Sequence, residues 1–302
     1  MNSVKCQNYI KVLNLTKQRI YRFGLVALFN GAIAAVMYHY YTISGSSALF
    51  AETIHNLCDC VCIVIATLAS MVSTIEPKRG SYRYTRAETL TALLNSIIVA
   101  FAAVTIFRHL KVARIAGSYM IYAALFAIPV NFAGYTVLKN DFSLNARAVR
   151  LHLLIDCLFS SAIAAAGLFA SFGVYWIDVA VAGVIAGHML IHSIKIAKKS
   201  VEILMQLPPK DVKLEEIKKE IEKIPGVKDV HHMHIWQLDE FSTHFECHIR
   251  LDCELRLREA DSVRESVEEL LRRKGINHTT IQVECSCNGV CSLSKAFNSV
   301  HQ

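Results

Sequence analysis

Two short stretches, 55-HNLCD-59 and 152-HLLID-156, each set a histidine four residues before an aspartate inside an otherwise apolar run. Residues four apart share one face of a helix. An aspartate at the centre of a bilayer costs about 2.5–3.5 kcal/mol on insertion scales. Two such residues without partners would be a heavy load. The least costly arrangement turns both pairs inward, facing each other.

The surrounding sequence supports a membrane setting. The chain has 302 residues, is 53% hydrophobic and has a mean hydropathy of +0.35, whereas soluble domains are about 45–50% apolar. The surplus lies in the first two thirds. A membrane helix needs about 20 apolar residues, and six are predicted, over 20–40, 46–73, 88–107, 114–138, 150–171 and 175–197. The predicted organisation is a short cytoplasmic segment (1–19), a six-helix transmembrane domain (20–205), a cytoplasmic α+β domain (206–284) and a cysteine-containing tail (285–302).

The net charge of +7 does not point to nucleic acid. Its basic residues gather at the ends of apolar segments: Lys17, Arg19 and Arg22; Lys78, Arg79, Arg83 and Arg86; Lys195, Lys198 and Lys199. That is how a multi-pass membrane protein fixes its orientation. Basic links alternate with neutral ones, which predicts that both termini are cytoplasmic. The link 108-RHLKVAR-114 runs against the rule, with Arg108, Lys111 and Arg114 on the predicted outer side. No cleavable signal peptide is read at the N-terminus.

Past residue 205 the period changes. Val212, Ile217, Ile221 and Ile224 mark an amphipathic helix, and Pro225-Gly226 a turn. Strands are predicted over 227–237, 242–252 and 277–284, with a helix over 256–273. The order α-β-β-α-β predicts helices on one face of a short sheet.

Two imidazoles and two carboxylates make a four-ligand set suited to tetrahedral Zn²⁺, with the aspartates balancing its charge. Imidazole disfavours Mg²⁺ and Ca²⁺, which take oxygen shells. The competing reading is polar packing between helices. A closed four-ligand shell leaves no open position for an activated water, and no catalytic base is placed as in H-E-x-x-H. An enzyme is therefore not expected. Asn95 and Asn131 fit either interhelical packing or the ion path, and Asp178 a structural cap or a vestibule charge.

The soluble part holds 231-HHMHIWQL-238, then His244, Glu246 and His248, then His278 and Glu284. Alternation places His232 and His234 on one face, with His231 nearer the turn. Such residues on adjacent strands are either a solvated face or a Zn²⁺ site. Of the ten cysteines, Cys58, Cys60, Cys62 and Cys157 read as small buried hydrophobes. In 285-CSCNGVC-291, Cys285, Cys287 and Cys291 are weak candidate ligands, because the spacing departs from a C-x-x-C knuckle.

These motifs in this order resemble the cation diffusion facilitator family, zinc-transporter branch, over nearly the whole chain. The resemblance also rests on 83-RYTRAETLTALLN-95, Asn131, 225-PGVKDVHHMHIWQL-238 and 275-GINHTTIQVE-284. It implies a homodimer with six spans and a metallochaperone-like cytoplasmic domain, exporting Zn²⁺ in exchange for protons. It implies a transport site of His55, Asp59, His152 and Asp156. It also implies cytoplasmic ligands His231, His248 and Glu284, with His278 and the terminal cysteines as additions. Two family features are missing. The link 74-TIEPKRGSYRY-84 lacks histidine and aspartate, and no histidine-rich loop separates spans four and five. A compact exporter of a bacterial inner membrane is the expected form.

The expected mechanism follows from titration. Neutral imidazole binds metal and imidazolium does not, and histidine ordinarily titrates near pH 6.5. Loading from the cytosol, a rocking of the helices and displacement by protons would carry the ion out. The alternatives are an exporter of manganese, iron, cobalt or cadmium, and a membrane zinc sensor without flux.

Overall fold

The computed structural model describes residues 2–75, 82–139, 144–252 and 254–285. Cys287 and Cys291 lie outside the described residues, as does most of the link that was expected to hold no metal site. The chain divides into two compact units, Met1–Ile75 with Thr91–Lys198, and Glu76–Leu90 with Lys199–Gln302.

The first unit is built from long helices, of which α3 begins and α6 ends in residues of the second: α1 (Asn2–Ser44), α2 (Ser47–Ser73), α3 (Arg86–His109), α4 (Gly117–Val137), α5 (Leu144–Ser171) and α6 (Trp176–Leu204). Among the described residues, α2, α3, α4, the Val149–Ser171 part of α5, and α6 are long and apolar enough to cross a membrane. Helices α1 and α6 run well past the predicted spans. Hydropathy marks only the part that suits lipid, whereas flanking Lys, Gln and Leu residues are good helix formers in water.

Packing within this unit follows side-chain size. Helix α4 lies along α5, α1 along α2, and α1 against α4. Gly117 and Gly167 let α4 and α5 approach at the backbone. A Cβ on Gly167 would stand 2.6 Å from the Gly117 carbonyl oxygen. Such small-residue contacts are how helices associate where lipid removes the hydrophobic drive. The core is small and aliphatic: Ala48, Ala51, Ala103, Ala123, Ala127, Ala166 and Ala186 are fully buried. Large apolar side chains such as Leu90, Leu94, Phe101, Leu125 and Leu158 point outward, as a lipid-facing surface requires. The α1–α2 link is only Gly45-Ser46. Gly45 takes φ +69° and bonds back to the Tyr41 carbonyl at 2.8 Å, a left-handed stop that glycine adopts without strain.

The second unit holds α7 (Leu214–Ile221), β1 (Val227–Gln237), β2 (Thr243–Leu251), α8 (Leu257–Arg273) and β3 (His278–Glu284). The sheet order is β1-β2-β3. β1 and β2 are antiparallel, and α8 forms the crossover that makes β2 and β3 parallel. Ile217 and Ile221 of α7 and Val267 and Leu271 of α8 join Val230, Phe245, Cys247 and Ile249 in one core. Burying Phe245 alone is worth about 1.5–3 kcal/mol. By alternation the other face of β2 carries His244, Glu246, His248 and Arg250.

Candidate metal centres

Helices α2 and α5 bring the two H-x-x-x-D motifs face to face. His55 Nε2 lies 3.2 Å from Asp156 Oδ1, and His152 Nε2 lies 2.9 Å from Asp59 Oδ2. Along each helix the spacing is looser. His55 Nδ1 to Asp59 Oδ2 and His152 Nε2 to Asp156 Oδ2 are both 3.7 Å. One ligand atom from each residue fits within 4.8 Å of the other three. The ligand atoms of a tetrahedral Zn²⁺ site, at about 2.0–2.2 Å from the ion, stand roughly 3.4 Å apart. The tetrad is therefore close to that size already. His55 and Asp156 are buried, whereas Asp59 and His152 are partly exposed, so the site has a dry side and an accessible one.

Three neighbours escaped the sequence reading. Glu52 is fully buried three residues before His55, and the Asn56 side-chain amide donates to its backbone carbonyl at 2.9 Å. His188 and His192 on α6 stack at 6.0 Å, and His192 lies within electrostatic reach of Asp59 and His152. The usable signal was H-M-L-I-H, an i, i+4 histidine pair in an apolar span.

The other polar residues of the spans differ in role. Asp178, near the start of α6, accepts from Ser46 Oγ at 2.5 Å, Ser47 N at 2.7 Å and Ala48 N at 3.1 Å. It satisfies the orphan amides at the start of α2, a structural cap. Asn95 donates to the Cys62 carbonyl at 3.3 Å, which ties α3 to α2. Asn131 is fully buried, and its amide makes no hydrogen bond among the described residues.

In the second unit, Glu284 at the end of β3 reaches His231 Nε2 at 3.1 Å and His248 Nδ1 at 2.8 Å. His231 Nδ1 meets Asp229 Oδ2 at 2.9 Å, and Asp229 in turn pairs with Arg250 at 3.2 Å. An outer carboxylate on the far nitrogen fixes a ligand imidazole's tautomer and angle, leaving Nε2 for a cation. His231 stands opposite His248, and His234 opposite Glu246, with a bulge between. The extra residue breaks strict alternation, so His231 joins the face that His234 occupies. His232 takes φ +49°, and its ring lies 4.7 Å from both His234 and His248. His278 is not part of the His231 cluster. It sits six residues before Glu284 on β3, with its ring 4.4 Å from His244. Cys285 is exposed just past β3.

The charges on this face favour neutral imidazole. Burial, then the neighbouring His234 and His248, holds His232 below the ordinary histidine range. Burial, then His278, does the same for His244. Burial pushes the Cys247 thiol up to about 12, so it stays protonated in the core and offers no thiolate.

The sequence model of the cation efflux transmembrane domain matches residues 25–205, and that of the cation efflux protein cytoplasmic domain matches residues 209–286. The cadmium, cobalt and zinc/H(+)-K(+) antiporter of Bacillus velezensis is 28% identical over 261 residues, covering 82% of each chain. The zinc transporter ZitB of Yersinia pseudotuberculosis is 27% identical over 271 residues, covering 84% of this chain and 85% of that one. Among solved structures, the metal-bound C-terminal domain of the CzcD transporter of Cupriavidus metallidurans is 34% identical. It covers 24% of this chain and 99% of its own, with a TM-score of 0.22. With both halves matched in order, the chain belongs to the cation efflux, or cation diffusion facilitator, family of divalent-cation efflux proteins, in its zinc-transporter branch.

Proposed function

We propose that the cation this protein moves out of the cytosol is Zn²⁺, exchanged for protons, with His55, Asp59, His152 and Asp156 as the transport site. The observation that carries this reading is the cross-paired tetrad, two imidazoles and two carboxylates at near-ligand spacing. Its donor set suits Zn²⁺ better than Mn²⁺, which favours more oxygen. Protons compete with the metal for the same imidazoles, so one site serves both ions by alternating access. A carrier, rather than an enzyme, follows from a shell with no open position.

The same reading includes six spans with α1 as the first, both termini in the cytoplasm of a bacterial inner membrane, and a homodimer joined through the cytoplasmic domain. His231, His248 and Glu284 form a cytoplasmic site whose occupancy by Zn²⁺ tightens the dimer. The relative named for cadmium and cobalt as well as zinc supports a wider choice of cargo, so competition among these ions belongs in the test. Purified protein goes into sealed liposomes with an imposed pH gradient and a zinc-sensitive dye. Uptake that rises with the gradient and is absent in Asp156→Ala is expected. Tight zinc binding with no flux would replace the carrier by a sensor.

A further inference from the structure

The polar face of the sheet carries a second cluster beside the His231 site. His232, His234 and Glu246 each offer a ligand atom, all within 4.8 Å of one another. Three features of the fold build it. The bulge between His231 and His234 supplies the extra residue. Pairing sets Glu246 directly opposite His234. His232 holds a left-handed backbone, φ +49°, which an L-residue other than glycine takes at a cost and usually for a reason. That twist turns its ring onto His234, with centroids 4.7 Å apart at 82°.

The cluster also faces space. The three residues line a cleft of about 810 Å³ together with Trp236, Gln206 and Tyr82. Glu246 is the one carboxylate in that lining, which also holds Arg83 and Arg86, so the charge of a bound cation is offset there by Glu246 against two guanidinium groups.

We propose that His232, His234 and Glu246 form a second cytoplasmic Zn²⁺ site, distinct from that of His231, His248 and Glu284. Two imidazoles and one carboxylate are a three-ligand zinc set, with the fourth position left to water or an exchangeable ligand. The ligand atoms close from within 4.8 Å to the roughly 3.4 Å of a tetrahedral shell by side-chain rotation. His248 lies beside His232, ring centroids 4.7 Å apart, so the two sites are neighbours on one face. Both sites are three-ligand sets, and this one opens on the cleft.

The test counts metal in the full-length protein, purified in detergent and equilibrated by dialysis against buffered free Zn²⁺. The double variant His232→Asn/His234→Asn should hold one ion fewer per chain than wild type at saturation. Because the result is a difference between two proteins, it stands whether or not the membrane tetrad transports zinc. Glu246→Gln, which keeps the side chain's shape, should weaken one class of site at least tenfold without changing the saturating count. Equal counts in wild type and the double variant would overturn the proposal. So would a double variant that loses no ion and only loosens the His231 site, since the imidazoles would then be outer supports of a single centre. If the double variant does not fold, unchanged affinity in Glu246→Gln overturns it.

Discussion

Asp178 closes on Ser46 at 2.5 Å, and this contact fastens the start of α6 to the first turn of the helix that carries His55 and Asp59. The carboxylate takes three donors in all, two of them backbone amides of α2. A charged acceptor with good partners is worth more than a neutral one, and its removal strands buried donors. Asp178→Ala should therefore cost about 3 kcal/mol of stability, near the upper end for a charged hydrogen bond. The melting temperature in detergent should fall, while the zinc dependence of flux in the folded fraction stays at the wild-type value. A changed zinc dependence would instead put Asp178 on the ion path.

Asp156 has the opposite signature. It is fully buried and meets both imidazoles of the tetrad. Asp156→Asn keeps the volume and removes the charge that balances a divalent ion. Zinc flux into liposomes should drop by at least about 100-fold, the upper limit of what losing a mere outer-shell partner does, with little change in melting temperature.

The α4–α5 approach depends on having no side chain. A Cβ on Gly167 would meet the Gly117 carbonyl oxygen at 2.6 Å and Met120 Cβ at 2.9 Å. The first of these is backbone and cannot swing away. Gly167→Val should destabilise the protein by about 1–3 kcal/mol, and Gly24→Ala, where nothing lies within 4 Å, should be close to neutral. Thermal unfolding of both variants in the same detergent decides this.

His244 gives the second unit a pH response. It is buried, stacked 5.3 Å from Trp236 and 4.4 Å from His278, and held below the ordinary range of about 6.5. The unfolded chain therefore binds the proton first as pH falls. The contribution of His244 is fully present above the unfolded value of about 6.5 and is lost as pH falls through the lower folded value. Denaturant unfolding followed by Trp236 fluorescence, in a Trp176→Phe background with chelator present, should show stability falling below about pH 6.5. His244→Gln should flatten that slope.

The membrane tetrad was legible because the α-helix has a fixed period. Four residues of spacing put His55 with Asp59 and His152 with Asp156 on single faces, and the cost of burying charge turned those faces together. The α-β-β-α-β order was legible for the same kind of reason, from Ile217 and Ile221 on one stripe and from alternating strands. What stayed hidden depends on departures from period. The bulge after His231 moves that histidine to the face of His234, and nothing in H-H-M-H announces an extra residue. His278 entered only as an addition that the family resemblance implied, and it stands at the other end of β3 from Glu284, beside His244. Glu52 escaped because a lone carboxylate becomes chemical only beside the tetrad, and His188 and His192 because an i, i+4 histidine pair without an aspartate lies outside the H-x-x-x-D pattern.

The cross-pairing of the tetrad has a mechanical consequence. Each imidazole makes its closer contact with the carboxylate of the opposite helix, 3.2 Å and 2.9 Å, rather than with its own, 3.7 Å. The four groups work as a pair of crossed stitches between α2 and α5. A slip of one helix along the other by a single residue, about 1.5 Å, would pull both stitches at once. The two helices are thus geared to each other at this level. A motion that keeps both contacts and turns one motif to a new side of the membrane carries the other motif with it.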